Sequence, residues 1–143
     1  MSPIPFRMKK IYAEPIEIHP DLVDTNNEDY TVNSSFSFGG ELLLGIVTCR
    51  GEFSFVQGEV ELSKLTVYCY FEIDPEYVQA NMSDNKLVID KEFLRYIATV
   101  TVGTARGIQY AKTQNTILNG MVLPPINLME LNLQDMDLLD PED

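Results

Sequence analysis

The alternation between Glu59 and Ile73 constrains this chain more tightly than any other feature. Leu65, Val67, Cys69, Phe71 and Ile73 fall on one side of it, and Lys64, Thr66, Tyr68, Tyr70 and Glu72 on the other. A period of two held this long describes a strand with one face in a core. It does not fit a helix, whose apolar positions recur every three to four residues. Tyr68 and Tyr70 make the second side amphipathic rather than simply polar.

Such a strand needs neighbours. Tyr30 to Phe38 alternates in the same way, with Tyr30, Val32, Ser34, Phe36 and Phe38 facing one direction. Gly39-Gly40 then predicts a tight hairpin, because glycine reaches positive φ without steric cost. Glu41 to Gln57 reads as a long third strand with a bulge at Gly51-Glu52. Gln57-Gly58 turns it into the strand that ends at Ile73. Met8 to Ile18 reads as a first strand, and Pro15 makes it an edge strand or bends it. Strands joined by short turns predict an antiparallel meander.

Asp74-Pro75-Glu76 opens a helical turn, and Ser83-Asp84-Asn85 reads as a loop. Asp90 has the place and chemistry of an N-cap for a helix running to about Thr113. Leu94, Ile97, Thr101, Ala105 and Ile108 form one stripe on it; Tyr96, Val100, Gly103, Gly107 and Tyr110 form a second. The β-branched run Thr99 to Val102 has weak helix propensity, but length and the double stripe favour a helix. Two stripes cannot both pack on one sheet. The second therefore predicts a partner, the same helix of another copy, through Tyr96, Val100, Gly103 and Gly107. Two glycines one turn apart let backbones approach closely.

Beyond a loop over Gln114 to Gly120, the double proline Pro124-Pro125 excludes helix and holds its neighbours extended. Leu131, Leu133 and Met136 suggest a short C-terminal helix, and about 133–143 reads as an acidic tail that frays. The whole of 1–143 reads as a single domain. Met82, Met121, Met129 and Met136 fit either an adaptable binding surface or core filling.

The formal charge is −12, from 22 acidic and 10 basic residues. That excess opposes contact with nucleic acid or anionic membranes and suits a protein that stays soluble while presenting apolar surface. An apolar content of 45% marks a folding chain rather than a disordered acidic one. No signal peptide is expected, since no apolar core follows the basic residues near Met1. No apolar run approaches the roughly 20 residues of a membrane helix, so a cytoplasmic location is expected. Cys49 and Cys69 read as free thiols in a reducing compartment.

Catalytic chemistry is not signalled. The single histidine, His19, precedes Pro20 and reads as an exposed turn residue. Neither cysteine has a Cys-x-x-Cys partner. Gly103 to Gly107 lacks the spacing and lysine of a phosphate loop, and the acidic tail lacks the glycine of a calcium loop. The expectation is a protein that is not an enzyme, with no cofactor and no metal.

The segments from Gly103-Thr-Ala-Arg-Gly-Ile-Gln-Tyr-Ala-Lys-Thr to Val122-Leu-Pro-Pro-Ile-Asn-Leu, with Arg106-Gly107 at the helix end and Pro125-Ile126-Asn127-Leu128 after it, resemble the signature of the SecB family of export chaperones. Ile11-Tyr12 on the first strand is similar too. The form Ala-Arg-Gly-Ile…Ala-Lys-Thr is closer to the divergent SecB-like proteins than to the proteobacterial chaperone. The resemblance implies an α+β fold: a four-stranded antiparallel sheet with a long helix and a short C-terminal helix packed on one face. It also implies a dimer of dimers whose apolar grooves hold non-native chains without ATP. Family members dock the translocation motor SecA through acidic residues on the first strand. Pro15 and His19 stand at those positions here, and Glu14 and Glu17 are out of register, which argues against that partner.

The expected function is thus an ATP-independent holdase for unfolded or partly folded polypeptides. The alternative is an interaction module dedicated to one partner, such as an antitoxin or a phage protein. Candidate client-binding residues are Tyr30, Val32, Phe36, Leu42, Leu44, Tyr68 and Tyr70, from one face each of strands two to four, with Ile126, Leu128 and Leu131 flanking the proline segment.

Overall fold

The computed structural model describes residues 4–139. Its strands are β1 (Phe6–Ala13), β2 (Glu17–Ile18), β3 (Thr31–Glu41), β4 (Ile46–Gln57), β5 (Val60–Ile73), β6 (Lys86–Ile89) and β7 (Met136–Leu139). Its helices are α1 (Pro75–Asn81) and α2 (Lys91–Lys112). The main sheet is antiparallel in the order β1-β5-β4-β3, and β2 pairs farther along β5. The fold is α+β, with the long helix α2 packed on β4 and β5.

Burial alternates along β4, where Val47, Cys49, Gly51, Phe53 and Phe55 are covered and Thr48, Arg50, Glu52 and Ser54 are half-open. On β5, Leu65, Val67, Cys69, Phe71 and Ile73 are all buried, as their period requires. The helix covers this face through Leu94, Ile97, Thr101 and Ala105. Asp90 caps α2 by accepting from the Glu92 N–H at 2.8 Å, and Asp135 accepts from the Lys91 N–H at 2.9 Å, so two carboxylates meet the positive end of the helix. The β-branched run is held helical by packing, since Thr101 and Val102 are buried; the hydroxyls of Thr99 and Thr101, and of Thr104 beyond it, are satisfied by the carbonyl one turn back at 2.8–3.0 Å.

Several expectations are corrected. The first strand is broken: β1 ends at Ala13, Pro15 interrupts the ladder, and β2 resumes it for two residues. The hairpin is not at Gly39-Gly40. β3 runs through both glycines to Glu41, and a 3₁₀ turn over Leu42–Leu44 closed by left-handed Gly45 (φ 63°) reverses the chain. Gly40 serves packing instead, because a side chain there would strike the Ile46 carbonyl and Leu138 of β7. There is no bulge at Gly51-Glu52. The irregularities fall between Phe55 and Val56 against β5, and between Met8 and Lys10 on β1.

The short helix expected through Leu131, Leu133 and Met136 does not form. Leu128–Glu130 makes one 3₁₀ turn, and Met136–Leu139 is β7, which pairs antiparallel with β6 and buries Leu138. That part of the tail is therefore ordered against the body; the rest of it, 140–143, lies outside the described residues. Among the described residues, no helix is long and apolar enough to cross a membrane.

Candidate functional site

The side chains of α2 divide by their 100° spacing into four sectors. One packs on the sheet. On one flank Phe93 meets Phe6 of β1 edge-on at 5.2 Å, and Phe6 also touches Phe71 and Tyr96 at 5.7 Å. On the opposite flank Arg95, Arg106 and Gln109 reach the proline segment. Arg106 Nε donates to the Leu123 carbonyl at 2.6 Å and Arg95 Nη1 to the Leu128 carbonyl at 3.0 Å. Gln109 Nε2 donates to the Met121 carbonyl at 3.1 Å. Proline lacks an N–H and cannot join a ladder, so this extended segment is held through its carbonyls instead.

The outer sector contains the four residues expected at a subunit interface. Tyr96 is 56% exposed, Val100 is half-buried, and Gly103 and Gly107 have nothing within 4 Å of where a side chain would begin. Ile11, 48% exposed, borders this sector from β1, next to Cys69 in the register and on the same side of the sheet. Among the described residues, the outer face of this 22-residue helix thus carries exposed Tyr96 and Tyr110 and two glycines that no other residue packs against.

The ten candidate client residues do not converge on one groove. Leu42 and Leu128 are core residues, each 5% exposed, because the 3₁₀ turns that carry them fold inward. Tyr30, Val32 and Phe36 lie on the helix side of the sheet at β3. Tyr30 stacks on Phe55, and Phe36 meets Phe53 edge-on at 5.7 Å, so both partly serve the fold. Ile126 and Leu131 are half-buried beside the proline segment. Tyr68, Tyr70 and the exposed Leu44 belong to the opposite, open face of the sheet.

That open face has its own order, which the strand pattern revealed only in part. Lys10 lies over the Tyr70 ring at 5.6 Å, Arg50 over the Tyr68 ring at 5.8 Å, and Tyr12 beside Tyr68 at 5.8 Å. Arg50 and Lys64 share Glu52, and Arg7 and Lys9 share Glu72. The Lys9 and Arg7 contacts hold the Glu72 carboxyl below its ordinary range. Leu44, Lys10 and Tyr70 line an open cleft of about 410 Å³. Periodicity placed the tyrosines on this face; the cations came from β1 and β4 through pairing that spacing alone does not reveal.

Cys49 and Cys69 are register partners, free and fully buried beneath α2. Burial pushes the Cys49 thiol up to about 12 and raises that of Cys69, while hydrogen bonding to Thr101 opposes the shift. A thiol protonated at neutral pH is a poor nucleophile. His19 is exposed, as expected of a turn residue. Compared with family models, curated proteins and solved structures, the chain matches none.

Proposed function

We propose that this chain is an ATP-independent holdase of the SecB-like type, acting as a homo-oligomer that binds non-native polypeptides. The observation that carries the proposal is the outer face of α2, where Tyr96, Gly103 and Gly107 are open to solvent and Val100 is half-buried, beside Ile11. Exposed tyrosines and two glycines one turn apart along a single helix face are suited to pairing with a copy. The arrangement of one long helix on an antiparallel sheet, with a proline segment strapped to its flank, supports the resemblance read from the Arg106-Gly107 and Pro125-Ile126-Asn127-Leu128 motifs.

Clients would bind on what remains open: Tyr68, Tyr70 and Leu44 on the free sheet face, and Ile126 and Leu131 along the proline segment. Apolar area covered there contributes roughly 25 cal/mol per Å² before the cost of ordering the client. The charge of −12 keeps such a complex soluble and favours segments with basic residues. The scattering of the candidate residues over two faces favours a second reading, a module shaped for one partner.

Light scattering of a chemically unfolded, unrelated protein diluted into buffer separates the two. Suppression by an equimolar amount of this chain, without nucleotide, is expected of a holdase. Unchanged aggregation with several clients would leave the dedicated module.

A further inference from the structure

We infer that the free edge of β3, and not that of β1, is a strand-addition site for an extended client segment of alternating apolar and polar residues. The inference rests on the holdase reading and says where on the fold the backbone of a client is taken up.

The direction of every backbone group on β3 follows from one bond. The Ile73 N–H donates to the Gly45 carbonyl at 2.8 Å, so Gly45 and Ile73 form a hydrogen-bonded pair and Ile46, one step on, turns its backbone groups towards β3. Counting along the unbroken register from Glu41–Ile46 to Thr31–Val56, the odd-numbered residues of β3 bond to β4. Val32, Ser34, Phe36, Phe38 and Gly40 direct their N–H and C=O groups outward, and among the described residues these have no hydrogen-bond partner.

The two edges of the sheet are unequal. β1 has eight residues, three of them cations (Arg7, Lys9, Lys10), a register shift between Met8 and Lys10, and Pro15 two residues past its end. Charge, irregularity and proline are the devices by which an edge is kept from pairing. β3 has eleven residues in continuous register, no proline, and no charge before Glu41. It has none of those protections, although its length gives it most need of them.

The chemistry of the occupant follows from the same strand. Val32, Phe36 and Phe38 are half-buried on the helix side, and Thr31, Asn33, Ser35 and Ser37 are exposed on the open side. An added strand places alternate residues beside each set, apolar on one side and polar on the other. Glu28 and Asp29 precede β3 and Glu41 ends it, so basic flanks are favoured. The same acids argue against a second copy as occupant. Antiparallel pairing of β3 with itself brings Glu41 of one copy towards Asp29 of the other, like charges set against each other at both ends of the pair.

The test uses a synthetic peptide of about eight alternating valines and threonines with lysine at each end. Amide hydrogen exchange of the intact chain is followed with and without it. Added peptide should protect the amides of Val32, Ser34, Phe36 and Phe38 and leave those of β1 unchanged. N-methylating one alternating set of peptide amides should abolish binding, and methylating the other should not. Ser34→Pro removes an outward N–H while sparing the ladder to β4, and should weaken binding by about tenfold or more. Protection on β1, or peptide binding with no protection on β3, overturns the site and leaves the holdase reading standing. Protection of β3 in the protein alone, with doubling of its mass, overturns the choice of occupant. Failure to bind the peptide while an unfolded protein is still held sinks the edge alone; failure to bind either sinks both.

Discussion

Gly51 of β4 and Thr101 of α2 approach so closely that a side chain could not begin at residue 51 without conflict. A methyl group there would lie 3.1 Å from Thr101 Cγ2 and 2.8 Å from the Phe53 ring. Glycine at this position is therefore a packing residue that lets the helix settle on the sheet. Gly51→Ala should cost about 1–3 kcal/mol, the range for overpacking a filled core. Urea unfolding measures it; a midpoint equal to that of the native chain would show that the Phe53 ring and Thr101 yield without cost.

Gly103 is the opposite case, since nothing lies within 4 Å of its missing side chain. Gly103→Leu should stabilise the isolated helix by roughly 0.8 kcal/mol through propensity alone. If the outer face of α2 meets its copy, the same substitution should weaken assembly. Fold stability and oligomer stability are thus expected to move in opposite directions. An unchanged dissociation constant in sedimentation would remove the interface from this face.

The buried thiols give a pH dependence of definite sign. In the folded chain Cys49 keeps its proton up to about 12, against an ordinary value of 9.0. Unfolded chains lose that proton first, so the stabilising contribution is complete below the ordinary value and is lost as pH rises from about 9 towards about 12. Denaturation midpoints at mildly and strongly alkaline pH should fall more steeply for the native chain than for Cys49→Val. Parallel slopes would mean that the thiol is not desolvated.

Arg106 ties the proline segment to α2 through the carbonyls of Leu123 and Pro124. Arg106→Ala leaves the buried Leu123 carbonyl without that donor and should cost about 1–3 kcal/mol. Faster proteolysis within residues 121–128, ahead of global unfolding, is the expected sign. Arg106→Lys should recover only part of the loss, because one ammonium cannot span both carbonyls as the guanidinium does.

Phe36 also changes role between sequence and structure. Alternation marks it as one of the apolar residues of β3 but does not say what it touches. Its edge contact with Phe53 makes it half core. Phe36→Asp should destabilise the fold by about 2–4 kcal/mol as well as altering the edge, so a loss of client binding in this variant alone is not diagnostic. A midpoint within error of the native one would return Phe36 to the surface.

What could be read from the residues follows the range of the interactions. The period of two in β5 and the Asp90 cap before a double-striped segment are local signals, and both elements form where they predict. The double glycine misled because glycine serves two purposes: Gly40 clears space for Leu138, a residue far along the chain, while the true turn relies on Gly45. β6 and β7 carry little local signal, because each is four residues long and its ladder is made with the other across some fifty residues of chain. The spacing of Leu131, Leu133 and Met136 looked helical, yet Met136 and Leu138 follow a strand period. Alternation fixes which residues of one strand share a face, but not how the faces of different strands align. Register then put Tyr68 and Tyr70 on the opposite side of the sheet from Val32 and Phe36.

In the proposed assembly this chain exposes more apolar surface than it can cover, and copies of itself take the outer face of α2. Sedimentation equilibrium of the purified chain over a wide concentration range tests that directly. A mass two or four times that of one chain, falling towards the single-chain value in Gly103→Leu, is the predicted result. A species of single-chain mass at every concentration would contradict it.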